Sequence, residues 1–452
     1  MKAINPATSE LLKDYPEHSV KDVEQIIEKA HGDFLKWRTT SFSYRSQLMH
    51  KAAENLRANK DKYARNMTLE MGKTIAEARA EAEKCAWVCD YYANNAERFL
   101  ADEIIETDAS KSFVAFQPIG VVLAIMPWNF PFWQVFRFAA PAMMAGNAGV
   151  LKHASNVPGC ALDIENIFKE AGFPENIFRT LLIGSGKVEV VIRNDKIRAV
   201  TLTGSEPAGM QVASVAGHEL KKTVLELGGS DPYIVLEDAE INACVRTAVT
   251  ARMINTGQSC IAAKRFIVVE SKLKEFEKEH VKIMLSLKMG DPLDEKTQFG
   301  PLARMDLLED LDKQVQDSIK AGAKLLCGGK KADGPGAFYL PTVLTNVKKG
   351  MPVYSQETFG PVTSIIPVKD ADEAVAVAND SSFGLGGSVW TTDLKKGEEI
   401  ARRVESGAVF VNGMTKSDPR LPFGGIKRSG YGRELSHYGI KEFVNIKTIW
   451  IA

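Results

Sequence analysis

The 452-residue sequence has few cysteines, few histidines and no excess of charge of either sign. Its six cysteines are scattered, so they predict no disulfide framework and indicate a reducing compartment. The seven histidines lie in no HExxH or CxxC context, and we expect no metal site. Basic and acidic residues number 57 each, a balance that gives no reason to expect a nucleic-acid partner.

A long uninterrupted apolar run is also absent. The most apolar region, residues 114–151, contains four prolines and Arg137, which a membrane helix would tolerate poorly. A buried parallel strand followed by a loop and a helix fits this composition better. The first residues lack the apolar core of a signal peptide. We therefore expect a cytoplasmic protein with no membrane partner.

Patterns typical of strands and helices alternate along the chain from about residue 113, whereas the first hundred residues have the apolar spacing of helices. This alternation predicts an α/β fold with two doubly wound parallel-sheet blocks, the second beginning after residue 228. Ligands of such folds bind at the carboxyl ends of the strands. The polar segments MPWNF, KHAS and TGSE follow strand-like runs, so we expect the ligand crevice there.

Eight short segments resemble, in order and across nearly the whole chain, motifs of the NAD(P)-dependent aldehyde dehydrogenase superfamily. They are PWNFP at 127–131, LKHAS at 151–155, LTGS at 202–205, LELGGSDP at 225–232, GQSC at 257–260, ETFGP at 357–361, VNG at 411–413 and PFGGIKRSGYGRE at 422–434. Each motif alone is weak, but eight in order are specific. The segments GQSCIAAKRF and SDPRLPFGGIKRSG are most similar to those of bacterial NADP-dependent succinate-semialdehyde dehydrogenases.

Oxidation of an aldehyde requires a nucleophile whose adduct can expel hydride, and a thiolate suits this step. A lone cysteine is more often an inert buried thiol, but the polar turn at 257–259 before Cys260 favours a functional role. The resemblance implies that Asn129 and the Cys260 N–H stabilise the oxyanion. It also implies that Glu226 is the base. The apolar and glycine-rich neighbours of Glu226 could raise its pKa toward neutrality.

The loop TGSEPAG places Gly204 and Ser205 at a strand-to-helix turn, where N–H groups can bind a pyrophosphate. The resemblance gives Ser205 this role and implies four further cofactor contacts, from Trp128, Lys152, Glu357 and Phe359. Lys152 would reach the adenosine ribose and Glu357 the nicotinamide ribose, with Phe359 near the ring.

Ser155 predicts the choice of cofactor. Superfamily members that prefer NAD often carry a glutamate three residues after the cleft lysine, where it bonds the ribose 2′-hydroxyl. The small Ser155 admits a 2′-phosphate, and Lys152 and His153 add donor or positive character nearby. We therefore predict that NADP is preferred and that NAD remains possible.

The substrate is expected to be a small aldehyde that carries a carboxylate, which needs a cation and hydroxyl groups. Candidate residues for this role are Arg137, Ser259, Ser417 and Arg420. Many succinate-semialdehyde enzymes have a second arginine where this chain has Ile254, and Arg137 could instead pair with a structural carboxylate. Alternative functions are therefore a broad-specificity aldehyde dehydrogenase, a cysteine hydrolase, and a non-catalytic nucleotide-binding or structural protein on the same fold.

The resemblance also implies an aldehyde dehydrogenase-like organisation in three parts. Residues 1–98 and 118–227 would form the dinucleotide-binding domain, and residues 228–436 the catalytic domain. Residues 99–117 and 437–452 would form a small β oligomerisation element. The C-terminal segment alternates apolar and polar residues and needs a neighbouring strand, in its own fold or in another subunit. The resemblance implies a homodimer or a homotetramer.

Overall fold

A computed structural model describes residues 1–452, and its first hundred residues are mainly helical. The elements of this region are β1 (Lys2–Ile4), β2 (Leu11–Asp14), α1 (Val20–Trp37), α2 (Phe42–Ala58), α3 (Lys60–Met71) and α4 (Ile75–Phe99). The side chains of Ser19, Ser41 and Thr74 cap the first turns of α1, α2 and α4 by accepting backbone N–H bonds. No helix of the structure combines the length and apolar character needed to cross a membrane.

A six-stranded sheet is built mainly from the next segment of the chain. The elements are β3 (Glu103–Ile104), β4 (Lys111–Pro118), β5 (Val121–Met126), α5 (Trp133–Met144), β6 (Ala148–His153), α6 (Pro158–Glu170), β7 (Phe178–Thr180), α7 (Val188–Arg193), β8 (Ile197–Thr203), α8 (Glu206–His218) and β9 (Lys222–Glu226). Strands β9, β8, β5, β6 and β7 are neighbours in that order, and all of them are parallel.

A seven-stranded sheet follows. Its elements are β10 (Asp231–Val235), α9 (Ile241–Met253), β11 (Ala263–Val269), α10 (Glu270–Ser286), α11 (Met305–Lys320), β12 (Lys324–Cys327), β13 (Thr342–Thr345), α12 (Pro352–Ser355), β14 (Val362–Val368), α13 (Ala371–Asn379), β15 (Gly386–Trp390), α14 (Leu394–Arg403) and β16 (Ala408–Val411). The strand order is β12-β13-β14-β11-β10-β15-β16, and only β12 is antiparallel. Alternate residues of β10 and β11 enter separate hydrophobic cores, so both faces of this sheet are covered.

The last elements return to the earlier parts of the chain. They are β17 (Gly430–Tyr431), α15 (Ser436–Ile440) and β18 (Val444–Ile451). Strand β17 pairs antiparallel with β9 and completes the six-stranded sheet. Strand β18 pairs antiparallel with β4, from Val444 opposite Pro118 to Ile451 opposite Lys111, and β3 pairs with the other edge of β4. The C-terminal strand therefore has its neighbour within the same chain.

The predicted α/β fold with doubly wound parallel sheets is confirmed. Helices connect the parallel strands on both sides, and the loops at their carboxyl ends converge between the two sheets. The proposed ranges of the three domains stay a prediction, and residues 430–431 of the range assigned to the catalytic domain pair with β9.

Candidate active site

Cys260 follows a tightly constrained turn between α9 and β11. Three consecutive residues adopt left-handed backbone conformations, with φ of 53° at Asn255, 57° at Thr256 and 77° at Gly257. This conformation is costly for side chains other than glycine, so surrounding contacts must hold it. The backbone N–H of Asn255 donates to Glu77 Oε1 at 2.7 Å. Glu77, near the start of α4, therefore anchors the turn before the thiol.

Gly257 is required for close packing as well as for its φ angle. A Cβ atom at this position would lie 2.2 Å from the carbonyl oxygen of Gly360, a distance that no side chain can accept. The carbonyl of Gly257 accepts a 2.6 Å hydrogen bond from Arg252 Nη2. The glycine of the GQSC motif thus brings the turn against the loop that carries Glu357 and Phe359.

Cys260 is half-buried and lies where two hollows meet. One is a cleft of about 380 Å³ at the carboxyl ends of the strands of the six-stranded sheet, between Ser205 and Phe359. The other is a cavity of about 200 Å³ between α4, α5 and the chain around Ser417. Cys260 is the one residue that lines both hollows. We call them the cleft and the cavity.

The cleft brings together most of the residues predicted to bind the cofactor. Its walls include Trp128, Gly204, Ser205, Glu357 and Phe359. The Trp128 and Phe359 rings meet edge to face, with centroids 5.7 Å apart.

The start of α8 fits a phosphate-bearing ligand. Ser205 is the N-cap residue of this 13-residue helix, and its exposed hydroxyl makes no capping hydrogen bond. The first N–H groups of the helix therefore have no side-chain partner, and they favour an anion. On the opposite wall, a Cβ atom at Gly228 would lie 2.5 Å from Glu357 Oε2, so glycine leaves room for this carboxylate. These residues suit the pyrophosphate and ribose of a dinucleotide.

Lys264 was not identified from the sequence, yet it connects the cleft to the nucleophile. Its buried Nζ lies 3.2 Å from Glu357 Oε1, and the same oxygen accepts from the N–H of Gly229 at 3.1 Å. Lys264 Nζ also donates to the carbonyls of Ser259 and Cys260 at 2.9 and 2.8 Å. Burial lowers the pKa of Lys264. A lysine four residues after a cysteine carries no sequence signal for this role.

Lys152 and Ser155 lie at and just beyond the carboxyl end of β6, next to β5, and neither belongs to the walls of the cleft. Lys152 is buried, which lowers its pKa, whereas Ser155 is exposed. The expected positive character of His153 is wrong. Its buried ring bonds the Pro131 carbonyl and the Ala154 N–H, and burial lowers its pKa to about 4. His153 is therefore neutral at pH 7.

Asn129 lies beside the nucleophile turn. Its side-chain Nδ2 donates to the backbone carbonyl of Gln258 at 3.1 Å, and the backbone carbonyl of Asn129 accepts from Asn255 Nδ2 at 2.7 Å. The side-chain amide carries two N–H groups. One is used by Gln258, which leaves the second available to an oxygen bound near Cys260.

Glu226 ends β9 and is buried, with no hydrogen-bond partner for either carboxylate oxygen. Burial raises its pKa to about 8, with Arg137 acting to lower it and Glu434 to raise it. A Cβ atom at Gly424 would lie 2.7 Å from Glu226 Oε1, so the glycine of PFGG makes room for the carboxylate. The apolar setting expected from the sequence is present.

The Cys260 thiol is not ionised in its resting environment. Burial raises its pKa to about 12, although Arg137 and Lys264 both act to lower it. Because only the thiolate is a strong nucleophile, the site must either remove the thiol proton or add positive charge before Cys260 can react.

The sequence left open whether Arg137 binds the substrate or pairs with a structural carboxylate. Its buried guanidinium pairs with Glu434 through Nε and lies 4.5 Å from the centroid of the Phe423 ring. Nη2 donates to Thr203 Oγ1 at 3.3 Å. Arg137 thus pairs with a structural carboxylate and, at the same time, lines the cavity.

The other predicted substrate residues are divided. Ser259 and Ser417 are buried and line the cavity, as does Ile254, which places an apolar side chain there. Arg420 does not reach the cavity. It is exposed and pairs with Asp418 two residues earlier, at 2.7 Å. The ion pair with Asp418 holds the Arg420 side chain away from the wall of the cavity.

One face of α4, not identified from the sequence, forms a wall of the cavity. Glu77, Glu81 and Lys84 follow one another at helical spacing on this face. Glu81 pairs with Lys73 and accepts the backbone N–H groups of Phe132 and Trp133, each at 2.9 Å. Lys84 Nζ donates to Ser417 Oγ at 2.8 Å. Glu81 is buried, whereas Glu77 and Lys84 are half-buried. Charged residues in a helix usually face solvent, so this inward placement could not be predicted from the sequence.

A family model described as "Aldehyde dehydrogenase family" matches residues 1–449. The chain is 56% identical over 449 residues to a probable succinate-semialdehyde dehydrogenase [NADP(+)] of Synechocystis sp., covering 99% of each chain. It is 52% identical over 452 residues to succinate-semialdehyde dehydrogenase [NADP(+)] 1 of Mycobacterium tuberculosis, again covering 99% of each. A solved structure of succinic semialdehyde dehydrogenase from Streptococcus pyogenes, in complex with NADP⁺, superposes with a TM-score of 0.98 at 40% identity, covering 100% of this chain and 99% of the other.

Proposed function

The chain belongs to the aldehyde dehydrogenase family, and from this premise we propose that it oxidises succinate semialdehyde to succinate with NADP as its preferred cofactor. The observation that carries the proposal is the position of Cys260 at the junction of the cleft and the cavity. An aldehyde held in the cavity would present its carbon to the thiol, with the cleft on the opposite side of that carbon. NADP, when bound, accepts the hydride that leaves the carbon.

Cys260 would attack the aldehyde as a thiolate, so that the carbonyl oxygen becomes an oxyanion. The second N–H of the Asn129 amide and the N–H of Cys260 are the donors proposed to stabilise it. Loss of hydride leaves a thioester on Cys260. Water then adds to the thioester carbon, and the thiolate departs as the carboxylic acid forms.

Glu226 is the residue proposed to take the proton from this water. A carboxylate with a pKa of about 8 is a much stronger base than an ordinary glutamate, whose pKa is near 4. Neither carboxylate oxygen has a hydrogen-bond partner in the protein, so each is free to accept a hydrogen bond from a water molecule. Glu226 thus supports hydrolysis of the thioester rather than its transfer to another acceptor.

The preference for NADP is supported by two independent observations. Ser155 is exposed beyond β6 and carries no charge that would repel a 2′-phosphate. Several relatives that match nearly the full length of this chain bear the cofactor NADP(+) in their names.

A carboxylate-bearing substrate is supported by the charge of the cavity. Its walls carry the cations Lys84 and Arg137, together with the hydroxyls of Ser259 and Ser417. The relatives named above act on succinate semialdehyde by their names. The cavity of about 200 Å³ is of a size for a small aldehyde.

We further propose that the chain forms a homodimer or a homotetramer through the sheet β3-β4-β18. This sheet leaves Ile104, Ile446, Trp450 and Ile451 between 47% and 66% exposed, which favours an interface. The proposed oligomerisation element covers the same segments.

The cytoplasmic location expected from the sequence stays a prediction.

A panel of aldehydes assayed with each cofactor tests these proposals. We expect the highest kcat/KM for succinate semialdehyde with NADP, and a much lower value for butanal, which has the same number of carbons and no carboxylate. Equal values for the two aldehydes would indicate a broad-specificity aldehyde dehydrogenase. Cofactor binding without reduction on any aldehyde would indicate a non-catalytic nucleotide-binding protein.

A further inference from the structure

The wall of the cavity contains a cation that has no carboxylate partner. Two carboxylates lie near Lys84, and each is engaged elsewhere. Glu81 pairs with Lys73 and binds two backbone N–H groups, and Asp418 pairs with Arg420. Lys84 is instead held by neutral groups. Its Nζ donates to Ser417 Oγ and lies 4.1 Å from the centroid of the Trp133 ring.

Arg137, the buried cation of the cavity, differs from the half-buried Lys84 in this respect. Its guanidinium is already paired with Glu434, lies over Phe423 and donates to Thr203. A substrate carboxylate at Arg137 would have to share the cation with Glu434, and two carboxylates at one cation repel each other. An ammonium group carries three N–H donors. Lys84 uses one of them for Ser417 and can offer the others to an anion.

We propose that Lys84, oriented by Ser417 and Trp133, binds the carboxylate of the aldehyde substrate and is the residue that selects an acid aldehyde over a neutral one. This inference rests on the proposed function, because it presupposes that an aldehyde enters the cavity and reacts at Cys260. Lys84 is then a specificity-determining contact of the cavity, beside Arg137, which stays paired with Glu434.

Lys84 lies on the same helix, α4, as two residues that hold other parts of the site in place, so α4 fixes Lys84 relative to the Cys260 thiol. Glu77, seven residues earlier on the same helix, holds the turn before Cys260. Glu81, between them, holds the start of α5. A single rigid helix face therefore fixes the nucleophile turn, the helix that carries Arg137 and the carboxylate-binding lysine relative to one another.

The charge of Lys84 should depend on pH in a measurable range. Burial lowers its pKa to about 8, and Arg137 from α5 adds to this effect, whereas Cys85 and Glu81 of α4 and Asp418 of the facing loop oppose it. Glu77 and Lys416 line the same cavity. Lys84 is thus protonated below about pH 8 and loses its charge above it, so selectivity for the acid aldehyde should fall as the pH rises through 8.

The test compares kcat/KM for succinate semialdehyde and for butanal in the full-length enzyme with saturating NADP. Lys84→Met should lower the ratio of the two values by at least about tenfold, which corresponds to about 1.4 kcal/mol, mainly through KM for the acid. Lys84→Arg should keep most of the ratio. Lys416→Met removes another lysine of the same cavity and should change the ratio by less than about twofold, since Lys416 is exposed and water screens it.

The pH dependence gives a second measurement that does not depend on the Met variant. In the wild type the ratio should decline above pH 8, and in Lys84→Arg it should not, since arginine remains charged. A ratio that Lys84→Met leaves unchanged, or that Lys416→Met lowers instead, would overturn the assignment of Lys84. A wild-type enzyme that oxidises butanal as well as succinate semialdehyde would instead refute the proposed substrate.

Discussion

The cleft and the cavity lie on opposite sides of Cys260 and are built in different ways. The cleft is formed mainly by loops that continue β5, β8 and β9, together with the loop of Glu357 and Phe359, so most of its residues lie in short motifs such as PWNFP and LTGS. The cavity is formed mainly by side chains from faces of α4 and α5, which meet a distant loop at residues 414–423. A site formed by contiguous loops can be recognised in the sequence as short motifs. A site formed by side chains from separate helix faces has its residues scattered along the sequence.

The two hollows also differ in how their charges are used. In the cleft, Glu357 is balanced by Lys264, and the start of α8 offers N–H groups without a side-chain cap. In the cavity, the pairs Arg137–Glu434 and Lys73–Glu81 are closed, and Lys84 is left over. The cleft suits a ligand of fixed chemistry, and the cavity suits selection through the half-buried charge of Lys84.

Removal of the residue shared by both hollows should have the largest effect. Cys260→Ala removes the nucleophile, so we expect aldehyde oxidation to fall by about 10⁴-fold or more. Cofactor binding, measured by fluorescence quenching, should persist because the other walls of the cleft remain. Cys244→Ala changes a buried cysteine away from both hollows and serves as the control. Substantial oxidation by the Cys260 variant would exclude this cysteine as the nucleophile.

Glu226→Gln should separate the two halves of the reaction. The first turnover should still release reduced cofactor as a burst, whereas steady turnover should fall by about a hundredfold or more, because water lacks its base. In the wild type, the turnover rate should rise with pH through about 8, since Glu226 accepts a proton only when ionised. Rapid-mixing absorbance at 340 nm measures both phases. Unchanged steady turnover would remove Glu226 from the scheme.

The sequence predicted the α/β fold because alternating strands and helices leave two different periodicities. It also predicted Trp128 and Ser205 in one cleft, since motifs at the carboxyl ends of parallel strands meet there, whereas Phe359 was expected there only from the family resemblance. The roles assigned to Cys260, Glu226 and the other site residues stay predictions until tested.

Other features of the site depend on packing that one sequence does not reveal. Lys84 on α4 is expected from the sequence to face solvent, but it is half-buried because Trp133 of α5 and Ser417 cover it. Arg420 was expected at the cavity, but a carboxylate two residues away holds it outside. His153 was expected to add donor or positive character, but deep burial lowers its pKa and keeps the ring neutral, and its Nε2 is engaged with the Pro131 carbonyl.

Arg137→Met tests whether the closed pair of the cavity is structural. This change leaves Glu434 buried without its partner, so we expect the free energy of unfolding to fall by about 3–5 kcal/mol. The double variant Arg137→Met with Glu434→Gln should recover part of the loss, because the unpaired charge is gone. Urea denaturation followed by intrinsic fluorescence measures the difference. Equal stability of the wild type and the single variant would show that the pair contributes nothing.

Ser155→Glu should shift cofactor choice while leaving the cavity unchanged. A carboxylate beyond β6 would repel a 2′-phosphate and could bond a ribose hydroxyl, so the ratio of kcat/KM with NADP to that with NAD should fall at least about tenfold. Ser155→Gln has the same length without the charge and should lower the ratio less. The preference for succinate semialdehyde over butanal should be the same in all three proteins, because Ser155 does not line the cavity. A wild-type enzyme that already uses NAD better than NADP would refute the predicted preference, and a ratio that Ser155→Glu does not change would show that other residues determine the choice of cofactor.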